Sequence, residues 1–310
     1  KKKQVFKEIF KICLNLVSGK LLTDQSPITT QAKVRVFACE PEWKSLSQEI
    51  GKNYVEVFSA TSATQDPHYI RTKPSLISKI RKADLLICSG SDLEVGWLPI
   101  LLSKAHKNIQ IGKIGNLMAS EFVPKIGKSK ILDRSMGDIH PSGNPHIHLN
   151  PHNILLIARE LNDRLKKIDP NNSKNYQKNH DNFVSKWKNS IKLWEVRALK
   201  LKGIKIVVHH KSFSYLIDWL KLDEIATLES KPGIAPTSRH LESLLIALRK
   251  DPAKFIIKTP FDPEDASDWI SRKTKIKDLI LPYTVGEDKE NNNLFSLFDN
   301  TINLMLEAVK

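Results

Sequence analysis

Cysteine is scarce in this chain: Cys13, Cys39 and Cys88 are the only three in 310 residues, and no two stand close together. That spacing offers neither a Cys-x-x-Cys site nor a disulfide framework. Cys39 and Cys88 lie in apolar, strand-like runs and read as small buried hydrophobes. Long apolar runs are missing too, since no stretch approaches the roughly 20 residues a membrane-spanning helix needs. The sequence has no His-Glu-x-x-His helix of the metalloprotease type and no nucleophile elbow. Its basic residues are scattered, without interleaved aromatics or a nucleic-acid module signature. The net charge of +15, from 49 Lys and Arg against 34 Asp and Glu, therefore reads as a solvated basic surface, and no nucleic-acid partner is expected.

What is present suffices for about two domains of ordinary size, with 40% hydrophobic residues spread along the chain. Residues 1–32 are ambiguous. Lys1-Lys2-Lys3 resembles the basic start of a signal peptide, but Lys7, Glu8 and Lys11 break the apolar stretch that should follow. Phe6, Ile9, Phe10, Cys13, Leu16 and Val17 instead have the spacing of an amphipathic helix.

From Val34 the pattern alternates. Strands are expected at Val34–Ala38, Tyr54–Ser59 and Asp84–Cys88, and helices at Pro41–Glu49, Ser75–Lys82 and Leu93–Lys104. Asn172–Leu201 contains no Gly or Pro, and Tyr176, Phe183, Trp187, Ile191, Trp194 and Ala198 recur at helical spacing. A helix of that length spans about 45 Å. A second alternation follows, with strands at Ile204–Val208, Ile225–Leu228, Phe255–Lys258 and Leu279–Leu281. Its helices are expected at Ser212–Leu220, Ser238–Arg249, Ala266–Thr274 and Leu294–Val309. The expected architecture is two similar α/β lobes with mainly parallel sheets, residues 33–170 and 203–310, joined by one long rigid helix at 171–202. No sequence repeat links the halves. Between Lys104 and Asn172 no element is assigned beyond a histidine-bearing loop.

That loop, Gly143-Asn144-Pro145-His146-Ile147-His148-Leu149-Asn150-Pro151-His152, is the most informative segment. Imidazole is the commonest protein metal ligand, suited when neutral to zinc, copper, nickel and iron. His68, in Asp66-Pro67-His68, and His210, just beyond the Ile204–Val208 strand, lie far away in sequence. Such dispersion fits a metal site gathered by tertiary folding.

Taken in order, several segments resemble the solute-binding proteins of zinc- and manganese-importing ABC transporters. They are Gln65-Asp66-Pro67-His68, Ala83-Asp84-Leu85-Leu86-Ile87-Cys88-Ser89-Gly90, Leu93-Glu94-Val95-Gly96-Trp97-Leu98, Gly143-Asn144-Pro145-His146, His209-His210-Lys211-Ser212-Phe213, Leu228-Glu229-Ser230-Lys231-Pro232-Gly233-Ile234 and Thr284-Val285-Gly286. The resemblance covers nearly the whole chain from Lys33. It implies two α/β lobes bridged by a helix, an extracytoplasmic or periplasmic location, a divalent metal as cargo, an ABC membrane permease as partner, a monomer, and no enzymatic activity. It places the metal ligands on His68, His146 and His210. Three imidazoles favour Zn2+ over harder Mn2+, with other divalent transition metals able to compete.

The chain departs from the family where His148 replaces a frequent Trp and Asn150 replaces the usual Asp. His148 reads as an extra ligand or, preferably, as a space-filling residue. His140 and His152 read as solvated loop histidines, with transient metal collection as the alternative. His209 would point away from the site if the strand continued through it. For the fourth ligand the candidates are Glu287 or Asp288, with Asp262 or a water as others. The rival functional readings are a zinc hydrolase using the same histidines with Glu229 or Glu287 as base, and a basic adaptor on nucleic acid or anionic lipid.

Overall fold

Short β-branched runs and amphipathic helices alternate because each parallel strand must be returned to the same edge by a crossover segment. A computed structural model describes residues 32–128, 137–286 and 290–310. In the first lobe, β1 (Val34–Ala38), β2 (Val55–Ser59), β3 (Leu85–Cys88) and β4 (Asn116–Met118) form a parallel sheet in the order β2-β1-β3-β4. Helices α1 (Pro41–Gly51), α2 (Pro74–Lys82) and α3 (Leu98–Leu102) make the crossovers. In the second lobe, β5 (Lys205–Val208), β6 (Asp223–Thr227), β7 (Phe255–Lys258) and β8 (Lys277–Ile280) repeat the topology as β6-β5-β7-β8, again all parallel. β3 and β7 are buried at every position, as expected of parallel strands covered on both faces.

Between the lobes run α4 (Pro151–Ile168) and α5 (Ser173–Ala198), the latter 26 residues long with a 3-10 turn at each end. Its buried residues are Tyr176, Phe183, Trp187, Ile191, Trp194 and Ala198, the six picked out by helical spacing. Trp187 and Trp194 pack edge to face at 5.1 Å, and Trp194 stacks on Phe298 at 5.1 Å. Phe298 belongs to α9 (Leu294–Ala308) of the second lobe, whereas α1 and α4 pack on α5 from the first. The remaining helices are α6 (Ser214–Leu220), α7 (Ser238–Lys250) and α8 (Asp265–Thr274).

The structure differs from the sequence expectations in four ways. The eighteen-residue α4 was not assigned, although Ile154, Ile157, Ala158, Leu161 and Leu165 form its buried stripe. Its start is hidden in the polar Asn150-Pro151-His152 cluster, where Asn150 caps the helix and Pro151 begins it. The expected helix at Leu93–Lys104 is mostly turns, with only α3 regular, and β4 was missed. Cys39 and Cys88 are not free hydrophobes but form a disulfide. β1 and β3 are parallel neighbours with Ala38 opposite Ile87, so the next pair is Cys39 and Cys88, with Cα atoms 4.8 Å apart despite a sequence separation of 49. Local spacing is blind to such a contact.

The segment 1–31 and the residues Glu287 and Asp288 lie outside the described residues. Among the described residues no helix is long and apolar enough to cross a membrane.

Candidate metal centre

In parallel α/β sheets, functional side chains collect beyond the carboxyl ends of the strands. The chain leaving β2 turns through Asp66-Pro67-His68, and the chain leaving β5 runs directly into His209-His210. The segment leaving β8 supplies Tyr283, and the loop before α4 supplies His146.

Each loop is fixed locally before it contributes to the cluster. Asp66 Oδ1 accepts from the His68 backbone N–H (2.9 Å) and from its Nδ1–H (2.7 Å). Asn144 Oδ1 accepts from the His146 backbone N–H at 3.0 Å, and its Nδ2 donates across the cleft to the Lys211 carbonyl at 2.8 Å. Both are turns in which an Asx side chain substitutes for a backbone acceptor, and the intervening Pro fixes φ. Trp97, fully buried, donates from Nε1 to the Pro67 carbonyl at 2.9 Å and holds the His68 turn from below.

The structure brings His68, His146 and His210 together. One ring nitrogen from each lies within 4.8 Å of those of the other two. Ring centroids are 5.6 Å apart for His68 and His146, 6.0 Å for His68 and His210, and 5.9 Å for His146 and His210, with interplanar angles of 71°, 79° and 83°. Three mutually edge-on rings can direct nitrogen lone pairs to one point. His68 Nδ1 is held by Asp66, His210 Nδ1 by Glu229 Oε2 at 2.7 Å, and His146 Nδ1 by the Tyr283 hydroxyl at 2.7 Å. Their Nε2 atoms are left to face inward, the arrangement of metal-binding histidines oriented by outer hydrogen bonds.

The electrostatics differ from ring to ring. Burial, reinforced by the neighbouring imidazoles, holds His146 well below the ordinary imidazole range. Burial pulls His210 down most strongly of any single cause, but the bond to Glu229 together with the charges of Glu229, Asp262 and Asp66 outweighs it and leaves His210 raised. For Asp66, burial pushes upward while the His68 bonds prevail and lower it. The cluster opens onto a cavity of about 730 Å3, whose acidic lining includes Asp66, Asp138, Glu229, Glu242, Asp262 and Asp265. Such a wall favours cations over anions.

Other histidines fall elsewhere. His148 is fully buried, with Nε2 2.8 Å from the Tyr283 carbonyl and Nδ1 3.1 Å from Glu42 Oε1. It fills the seam between α1 and the second lobe, where Thr284 also donates to Glu42. His152 lies in the first turn of α4 rather than on the loop, and it pairs with Glu195 at 2.8 Å. His209 does not point away. β5 stops at Val208, so His209 lines the same cavity as His210, 3.9 Å from Glu229. His140 is not a solvated loop residue, being half-buried beside His68. Asp262 lines the cavity while its Oδ2 accepts from the Thr259 backbone N–H at 2.7 Å. Glu229, considered as a hydrolytic base, has its Oε2 engaged by both His210 and the Gly233 N–H (2.8 Å).

What sequence reasoning missed is the orienting role of Asp66, Asn144, Glu229 and Tyr283, since it reads Glu229 only as a candidate hydrolytic base. For the first two a signal existed, because Asp66-Pro67-His68 and Asn144-Pro145-His146 share an Asx-Pro-His pattern. Tyr283 and Glu229 carried none.

Comparison with known proteins fits this geometry. The family model described as zinc-uptake complex component A, periplasmic, matches residues 36–308. The high-affinity zinc uptake system protein ZnuA of Bacillus subtilis is 21% identical over 304 residues, covering 96% of this chain and 94% of its own. The manganese ABC transporter substrate-binding lipoprotein PsaA of Streptococcus pneumoniae is 23% identical over 296 residues, covering 91% of each. Among solved structures, a crystal structure of ZnuA superposes with a TM-score of 0.74 at 18% identity, covering 90% of this chain and all of that one.

Proposed function

The chain belongs to the zinc-uptake complex component A family, and from that premise we propose that it is the extracytoplasmic receptor of a metal-importing ABC transporter. It captures Zn2+ through His68, His146 and His210 and delivers it to a membrane permease. The observation that carries this reading is the convergence of three edge-on imidazoles, each with its Nδ1 held by an outer partner.

The relatives are named for both zinc and manganese, so the choice of zinc rests on donor chemistry. Imidazole nitrogens suit zinc, and manganese prefers oxygen. The two carboxylates nearest the trio, Asp66 and Glu229, are occupied as hydrogen-bond acceptors for His68 and His210, so they act by orienting rings. An extracytoplasmic location is supported by the Cys39–Cys88 disulfide, since such bonds persist in oxidising compartments. The protein acts as a monomer without catalysis of its own. His68 and His146 belong to the first lobe and His210 to the second, so the ion is gripped between them. α5 packs on both lobes and restricts wide hinge opening, so release proceeds through modest movement of the loops that carry the histidines.

The test is calorimetric titration of metal-stripped protein with zinc, alongside His68→Ala, His146→Ala and His210→Ala. One tight site per chain, lost in all three variants, is the expected result. Weak multi-site binding that survives the substitutions would remove the receptor reading.

A further inference from the structure

His140 lies on the segment 137–143, which is pinned to both lobes. On one side the Asp138 backbone N–H donates to the Pro232 carbonyl at 2.8 Å. On the other, the Tyr69 hydroxyl donates to Asp138 Oδ2 at 2.7 Å. Gly137 has φ of +90°, and a Cβ there would stand 1.9 Å from the Pro232 carbonyl oxygen, so only glycine permits the approach. The segment thus forms a strap across the histidine cluster, and the Gly143 N–H closes it by donating to the His140 carbonyl at 3.0 Å.

His140 Nδ1 is 2.9 Å from the Ser91 carbonyl. A carbonyl only accepts, so Nδ1 carries the hydrogen and Nε2 presents a lone pair. That Nε2 lies 3.2 Å from His68 Nε2, which presents a lone pair for the same reason, its Nδ1–H being given to Asp66. Two acceptors face each other with no hydrogen between them, an arrangement that a shared cation satisfies. The spacing is also right. Two nitrogens on one tetrahedral zinc, each at about 2.0–2.1 Å, are about 3.3 Å apart. The ring of His140 further contacts that of His146, with centroids 6.4 Å apart.

We infer that His140 is a fourth ligand to the cargo ion, closing the site as four imidazoles. This rests on the receptor reading and extends it to specificity. The separations within the trio, and the longer ones from His140 to His146 and His210, contract as the nitrogens draw onto one ion. An all-nitrogen tetrahedral site favours zinc, and cobalt as its spectroscopic substitute, and disfavours manganese, which seeks oxygen donors and higher coordination. The strap then serves as the closing element, because its metal-binding residue is fastened to both lobes.

The experiment is zinc affinity by chelator competition, combined with X-ray absorption of the zinc-loaded protein to count imidazoles. His140→Ala is expected to keep one ion per chain, lower zinc affinity about tenfold or more, reduce the count from four to three, and narrow the preference for zinc over manganese. Unchanged affinity and an unchanged count would overturn the assignment. Tyr69→Phe loosens the same strap without removing the imidazole and is expected to retain four. A loss equal to that of His140→Ala would also overturn it, since affinity would then follow the strap and not the ring. Loss of tight binding in His68→Ala with none in His140→Ala removes only the fourth ligand. Tight binding in both removes the receptor reading as well.

Discussion

Asn144-Pro145-His146 and Asn150-Pro151-His152 are six residues apart and form the same local turn. In each, the Asn Oδ1 accepts from the histidine backbone N–H at 3.0 Å. Yet His146 is 1% exposed and faces His68 of its own lobe and His210 across the cleft, while His152 sits on the outside of α4 paired with Glu195. The difference lies in what surrounds the turn. Asn144 has a second bond to the Lys211 carbonyl of the opposite lobe, which fixes its loop against the cleft. Among the described residues, the Asn150 side chain is seen only to cap its own helix. Between them His148 is buried in the interlobe seam, with Nε2 2.8 Å from the Tyr283 carbonyl and Nδ1 3.1 Å from Glu42 Oε1. Identical turn chemistry thus yields one cleft-facing imidazole and one surface residue, with a buried packing histidine between the two turns.

The sharpest way to break this comparison is to remove each imidazole. His146→Ala is expected to lower zinc affinity by more than about 100-fold, beyond the range usual for an outer-shell partner. His152→Ala should leave it within error, both read by calorimetry. A tight site that survived His146→Ala would mean the two turns do not differ in function.

The next largest effect concerns orientation. Glu229→Gln is expected to weaken zinc about 10- to 100-fold without changing the stoichiometry. It also alters the pH profile. His210 has its proton affinity raised by Glu229, and a protonated imidazole cannot ligate. As pH falls, His210 therefore gains its proton before the buried, depressed His146, and affinity drops from that point. Without the Glu229 charge the drop should begin at lower pH. An onset that does not move would show that another group governs proton competition.

The smallest effects come from the two asparagines. Asn150→Ala removes a helix cap and should cost about 1 kcal/mol of stability, seen in denaturant unfolding, with metal affinity intact. Asn144→Ala should cost affinity as well, because the bond to Lys211 across the lobes is lost with the turn. Equal metal affinities for the two variants would argue that the crossing bond does not position His146.

Much of the fold was legible because its signals are local. The buried face of α5 follows from the spacing of six apolar residues, and buried strands such as β7 from a short apolar run. Helix α4 escaped because its cap and first turn use the same Asn, Pro and His residues as a ligand loop. The disulfide escaped because strand adjacency, not spacing, brings Cys39 and Cys88 together.

By itself the sequence determined the alternating elements, the long amphipathic helix and the three Asx-Pro-His turns, since these depend on residues a few positions apart. Only the tertiary structure decided which histidines meet. His68, His146 and His210 converge because two lobes of the same strand order present their strand ends to one cleft. Tyr283 becomes an orienting group only when that cleft is assembled, and Glu229 only when β5 and β6 lie side by side. Side chains separated by more than a hundred residues interact through space, and no periodicity along a chain encodes that distance.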